Sequence, residues 1–195
     1  MQRLGILGGT FDPIHIGHVL LAQAVQEQIP LDQVLFVPAA APPHKQTEPP
    51  LASAADRWAM VQLAIESFPC FQGCRIELER PGKSYTFDTI RQLRALHPQS
   101  QLYLIIGADN IAPLPTWYKP QGILDLCTVV AGSRITAALD ADPALAAQLL
   151  QVDTPLIELS STQIRQRLAA GFSIRYMVPE KVETYIVEKG LYKTP

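Results

Sequence analysis

Short apolar runs alternate along this chain with longer stretches in which apolar positions recur three and four residues apart. The runs fall at residues 4–7, 34–37, 75–78, 102–106, 128–130 and 156–159; each is rich in leucine or β-branched residues and predicts a strand. Helical spacing predicts helices over 19–29, 54–67, 87–97 and 144–150, with two more after the last strand at 161–170 and 180–188. In the second helix Trp58, Val61, Ala64 and Ile65 share a face that Arg57 and Glu66 do not. Pro30 and Pro69 end the first two helices, because proline cannot continue a helix interior. Strands alternating with helices in this way predict an α/β fold, a doubly wound parallel sheet covered on both faces.

Composition narrows the picture. A chain of 195 residues with 48% apolar content suits one domain over 1–195 with a continuous core. A formal net charge of −2 lacks the basic footprint of nonspecific nucleic-acid binding, so no nucleic-acid partner is expected. No apolar stretch approaches the roughly 18 residues of a spanning helix, so no membrane association is expected either. The opening MQRLGILGGT leaves no room for a cleavable signal peptide. Cys70, Cys74 and Cys127 form neither a disulfide framework nor a zinc spacing; read as reduced thiols, they predict a cytoplasmic protein.

In a doubly wound sheet ligands bind beyond the carboxyl ends of the strands. The polar residues expected there include Gly8-Gly9-Thr10, the proline-rich loop 38–50 with Lys45, Gly107-Ala108-Asp109, Ser133-Arg134 and Ser160-Ser161-Thr162. The stretch GGTFDPIHIGH at 8–18 follows the first strand directly. Its glycines do not give the G-x-G-x-x-G of a dinucleotide turn, and no G-K-[ST] completes a P-loop. His15 and His18 could bind metal, but only His44 and His97 remain as further histidine ligands, and His97 closes a helix; no protein-held metal is expected. The pair could also merely cap and pack.

The sharper reading places His15 and His18 at the start of a helix beginning near Gly17. Unpaired N–H groups and the positive dipole end make such a start an anion site. Gly17 would let a phosphate approach the backbone, and the imidazoles would hold phosphate oxygens as charge builds. Ser160-Ser161-Thr162-Gln163-Ile164-Arg165 fits a capping box, with Ser160 as N-cap and Gln163 at N3. A plain helix start is its simpler reading, yet Arg165 could reach back over the same terminus as a phosphate donor.

GGTFDPIHIGH together with SSTQIR resembles the nucleotidyltransferase superfamily with the paired-histidine motif. PPHK at 42–45, SYTFDT at 84–89, IIGAD at 105–109 and WYK at 117–119 extend the likeness, through EKGLY at 188–192, to its bacterial nicotinate-nucleotide adenylyltransferase family. The chain departs from that pattern at Ile135-Thr136 after Arg134, and 137–151 matches no motif. The resemblance implies a Rossmann-like doubly wound parallel sheet with helices on both faces and a helical C-terminus. It implies adenylyl transfer from ATP to nicotinate mononucleotide, giving deamido-NAD and pyrophosphate, with Mg²⁺ arriving on the triphosphate. His15, His18 and Arg165 would be catalytic. The ATP site would comprise Gly8, Gly9, Thr10, Phe11, His15, His18, Gly107, Asp109, Ser161, Thr162 and Arg165. Lys45, Thr86 and Trp117 would bind the acceptor. Lys45 could otherwise be a solvated lysine, Asp109 a helix cap and Trp117 an aromatic cover.

Two alternatives stay open: a related adenylyltransferase preferring phosphopantetheine or the nicotinamide nucleotide, and a noncatalytic nucleotide-binding protein. The presence of SYTFDT and WYK argues against the pantetheine enzyme, and intact His15, His18 and Arg165 argue against the noncatalytic one. A homo-oligomer is compatible with the sequence, which does not specify oligomeric state.

Overall fold

Strand residues take alternate sides with period two, and that alternation builds two cores. The computed structural model describes residues 1–42, 51–133, 143–155 and 157–193. Its strands are β1 (Arg3–Gly9), β2 (Gln33–Pro38), β3 (Phe71–Gly73), β4 (Gln101–Gly107), β5 (Thr128–Ser133) and β6 (Leu150–Asp153). Its helices are α1 (Ile16–Gln28), α2 (Ala54–Ile65), α3 (Thr86–Leu96), α4 (Pro120–Leu126), α5 (Pro143–Ala146), α6 (Ser161–Ala169) and α7 (Glu180–Lys189). All strands are parallel in the order β3-β2-β1-β4-β5-β6. This is the Rossmann order, and its direction reverses between β1 and β4.

Leu7, Val34, Phe36, Ile105 and Val130 face one core, closed by α1, α2, α6 and α7. Leu4, Ile6, Leu35, Leu104 and Val129 face the other, closed by α3 and α4. Both faces of each central strand are therefore dry, which is why these strands read as unbroken apolar runs. Full burial of a Leu, Ile or Phe side chain contributes about 1.5–3 kcal/mol relative to exposure, so these positions dominate the stability of the sheet.

Two expected strands move. The alternation at 75–78 is a turn, with the Glu79 N–H donating to the Arg75 carbonyl at 3.0 Å. The edge strand forms earlier, at Phe71–Gly73, where Phe71 packs on Phe36 with ring centroids 5.2 Å apart. The last strand lies at Leu150–Asp153 instead of 156–159, and the helix expected over 144–150 is the single turn α5. Pairing with β5 and a clasp from α1 fix this register: Gln28 Nε2 donates to the Asp153 carbonyl at 2.6 Å and Gln28 Oε1 accepts its N–H at 3.2 Å. Residue 156 and Arg134 lie outside the described residues. Helix α4, seven residues opened by Pro120, is too short to show a period and went unanticipated.

Candidate active site

His15 is the N-cap of α1, in extended backbone conformation, and His18 is three residues in. The His15 N–H donates to Nδ1 of His18 at 3.1 Å, which leaves the proton of the neutral His18 ring on Nε2. The rings stack with centroids 3.7 Å apart at 30°. Burial pulls the His15 imidazole down to about 4; burial and then the neighbouring His15 pull His18 well below its ordinary value. Both rings are thus neutral near pH 7, hydrogen-bonding groups and not cations. His15 Nδ1 is buried without a hydrogen-bond partner among the described residues.

Three expectations about this motif change. A Cβ on Gly17 would meet the His15 ring at 3.1 Å, so the missing side chain also makes room for the imidazole, while Gly17 lines the cleft. Two first-turn donors of α1 are already committed: the Ile16 N–H to the Met177 carbonyl at 3.0 Å and the His18 N–H to the His15 carbonyl at 3.0 Å. The Phe11 side chain is core, 1% exposed, with its ring against His18 at 5.0 Å; its part is to support that imidazole, leaving its backbone for ligand contact. Phe11 has φ +51°, and its ring folds back to within 2.9 Å of where a Gly9 Cβ would stand.

Asp12, between the glycines and His15, ties distant segments together. Its buried carboxylate accepts from the Leu51 and Ala52 N–H groups at 2.9 and 3.1 Å and from the Tyr192 hydroxyl at 2.7 Å. Arg165 donates to the Asp12 carbonyl at 2.8 Å and lies 4.0 Å from its carboxylate. It does reach back over the start of α6, to Thr162 Oγ1 at 3.3 Å, while Asp12 holds one of its guanidinium nitrogens. Arg57, 1% exposed, donates from Nη1 to the carbonyls of Thr10 and Ala39, both at 2.7 Å, bracing the loops after β1 and β2.

The cleft encloses about 1110 Å³ over the carboxyl ends of β1 and β4, the point where strand order reverses. His15 and His18 form part of its wall together with Gly8, Gly9 and Thr10. The start of α6 supplies Ser161 and Thr162; the capping box forms as expected, while the Ser161 hydroxyl donates to the Pro13 carbonyl at 2.9 Å. Gly107 and the exposed Asp109 lie at the end of β4, where a Cβ on Gly107 would meet the Asp109 carboxylate at 2.7 Å. Asp109 also accepts from Asn110 Nδ2 at 3.0 Å. Thr86, the first residue of α3, and the half-buried Trp117 also line the cleft. Lys45 lies outside the described residues.

Sequence reasoning missed Asp12, Arg57 and Glu77. For Arg57 the signal was present: with Met60, Val61, Ala64 and Ile65 it completes the buried stripe of α2, while Trp58, expected on that face, is half-exposed. For Asp12 no local pattern exists, since Tyr192 lies 180 residues away, and Glu77 is buried by a turn whose hydroxyl partner Thr89 comes 12 residues later.

The profile of the cytidylyltransferase-like family matches residues 6–167. The chain is 48% identical over 195 residues to the "Probable nicotinate-nucleotide adenylyltransferase" of Halalkalibacterium halodurans, covering 100% of this chain and 93% of that one. A counterpart in Thermus thermophilus is 46% identical over 192 residues, covering 98% and 100%. Among solved structures, the nicotinic acid mononucleotide adenylyltransferase of Plasmodium falciparum complexed with NaAD superposes with a TM-score of 0.80 at 18% identity, covering 98% of each chain. At that identity the likeness is one of fold.

Proposed function

Because this chain belongs to the cytidylyltransferase-like family, we propose that it transfers the adenylyl group of ATP to nicotinate mononucleotide, releasing pyrophosphate and forming deamido-NAD. The observation that carries this reading is the stacked His15–His18 pair in a cleft that the start of α3 and Trp117 also line. In this reading the phosphates lie at the histidines and the pyridine ring at the tryptophan.

The acceptor phosphate is already ionised and attacks the α-phosphorus in line, so no general base is needed. Catalysis is alignment and charge stabilisation. The Nε2–H of His18 donates to the α-phosphate, and His15, with Nδ1 unpartnered, supplies a second contact to the phosphates. Thr10, the Phe11 backbone, Ser161, Thr162 and the remaining guanidinium donors of Arg165 bind the triphosphate. Gly107 and Asp109 face the adenosine. Thr86 and Trp117 hold the pyridine ring, and Lys45 meets a phosphate.

ATP enters as its Mg²⁺ complex. Phosphates and waters carry that ion; among the described residues no three His, Cys, Asp or Glu side chains converge to hold a metal. Three unpaired thiols support a reducing, cytoplasmic setting, and burial pushes the Cys127 thiol up to about 12. No described helix is long and apolar enough to cross a membrane.

The test is pyrophosphate release with ATP against a panel of acceptors: nicotinate mononucleotide, nicotinamide mononucleotide and phosphopantetheine. Release with the first above the others is the expected result. Release with phosphopantetheine alone overturns the assignment.

A further inference from the structure

The proposed transfer leaves one buried charge in the cleft wall without a task. Glu77 is 7% exposed, lies on the irregular stretch before α3 and lines the acceptor end beside Ser84, Tyr85 and Thr86. Thr89, one turn into α3, donates from Oγ1 to Glu77 Oε1 at 2.6 Å. The Ser84 hydroxyl bonds to the same carboxylate.

The proton inventory of these hydroxyls fixes the state of the cluster. Ser84 Oγ accepts the backbone N–H groups of Ala40 at 3.0 Å and Ala41 at 3.2 Å, so its own proton points to Glu77. Thr89 Oγ1 accepts from Arg80 Nη2 at 3.0 Å and gives its proton to Glu77, the nearer acceptor, rather than to the Tyr85 carbonyl at 3.3 Å. Burial raises the Glu77 carboxyl above its ordinary value, and the Thr89 and Ser84 hydroxyls act against that shift. Arg80 supplies the neighbouring positive charge.

Two segments meet on this side chain, Ser84 just before α3 and Thr89 within α3, and Ser84 in turn accepts from the 40–41 stretch after β2. None of its hydrogen bonds reaches His15, His18 or the start of α6.

We propose that Glu77 is a positioning residue for the acceptor alone: it sets the first turn of α3 against the 40–41 stretch, so that the N–H groups near Thr86 meet the acceptor ring at a fixed distance. The inference rests on the functional reading above and deepens its acceptor site. The donors at the start of a helix recognise an anionic ring substituent only when they are held in place beforehand. Glu77 holds them through Ser84 and Thr89. An amide in its place removes the carboxylate and turns an NH₂ group toward one of two hydroxyls that had donated to it, so at least one of the two bonds must reverse or break.

The experiment compares Glu77→Gln and Ser84→Ala with wild type in steady-state kinetics, varying ATP and nicotinate mononucleotide separately. Loss of a hydrogen bond to a charged group should raise the acceptor KM about 10-fold in E77Q, while the ATP KM stays within about twofold. Ser84→Ala, which removes the same tie from the other side, should move the acceptor KM in the same direction. The effects should be less than additive in the double variant, since both remove the Ser84–Glu77 tie while Ser84→Ala also loses the acceptor of the Ala40 and Ala41 N–H groups. Equal changes in both KM values, or none, in a folded E77Q overturn the proposal. Should E77Q fail to fold, the same criterion applied to Ser84→Ala decides. A wild type that transfers nothing to nicotinate mononucleotide overturns the functional reading and this one with it; an active wild type with an unmoved acceptor KM in the variants overturns this one alone.

Discussion

His18 Nδ1 accepts the His15 backbone N–H at 3.1 Å, and that one bond decides which nitrogen of His18 can donate to a ligand. The N-cap of α1 thereby orients the imidazole placed one turn later. His18→Ala should lower kcat about 10²- to 10³-fold, the usual cost of one transition-state donor, with a much smaller change in ATP affinity. Turnover above about half of wild type in a folded variant removes His18 from this role.

Arg165→Ala should raise the KM for ATP more than that for the acceptor. Its hold on the triphosphate is equal in the ground state and the transition state, and removing such uniform binding changes KM rather than kcat. Lysine should not restore it: the guanidinium bridges the Asp12 carbonyl and Thr162 at once, which a point charge cannot do. Separate titrations of ATP and acceptor on both variants test this. A collapse of acceptor binding with ATP unchanged would assign α6 to the wrong substrate.

Tyr192→Phe removes the hydroxyl that Asp12 accepts at 2.7 Å and leaves the buried carboxylate one donor short. A hydrogen bond to a charged group is worth about 1.5–3 kcal/mol. Urea denaturation should show that loss, and Tm should fall by about 2–4 °C for each kcal/mol. Unchanged stability would mean that the C-terminal segment is not needed to hold the loop after β1.

The pH dependence of stability has a defined sign. His15 has its folded pKa lowered from 6.5 to about 4 by burial, so between those values the unfolded chain binds the proton and the folded chain does not. Stability is unaffected by this group above about pH 6.5, falls as pH drops through the window, and has lost about 3 kcal/mol once pH passes below the folded value. Denaturation curves at several pH values should slope less for His15→Asn than for wild type across this range. Parallel slopes would refute the burial cost.

Acceptor choice should favour the acid over the amide. The first turn of α3 offers donors near Thr86, whereas stacking on Trp117 is indifferent to the ring substituent. An amide turns one NH₂ donor against another donor and forfeits charge assistance, a loss of about 1.5–3 kcal/mol or about 10- to 150-fold in kcat/KM. Side-by-side kinetics with the two mononucleotides decide it, and equal efficiencies would defeat the pocket assignment while leaving adenylyl transfer intact.

The sequence by itself determined the parallel sheet, because strands dry on both faces must be apolar at every position, as 4–7, 34–37 and 102–106 are. It also indicated which residues line the cleft, since those after such runs fall on one edge of the sheet, and it placed the capping box of α6 to the residue. Tertiary structure decided what depends on partners far along the chain. Phe71–Gly73 became the edge strand because Phe71 found Phe36, while the better alternation at 75–78 found no strand to pair with. Gly17 serves the His15 ring, Phe11 became a buried support, and Arg165 was drawn to Asp12. Arg57 and Glu77 are charges inside the molecule, where a sequence pattern assigns solvent. Carbonyls of two loops accept from Arg57, and hydroxyls of α3 and of the residue stretch before it bond to Glu77. Periodicity records which face a residue takes, but a buried charge is licensed by its partners, and those are brought together only by the fold.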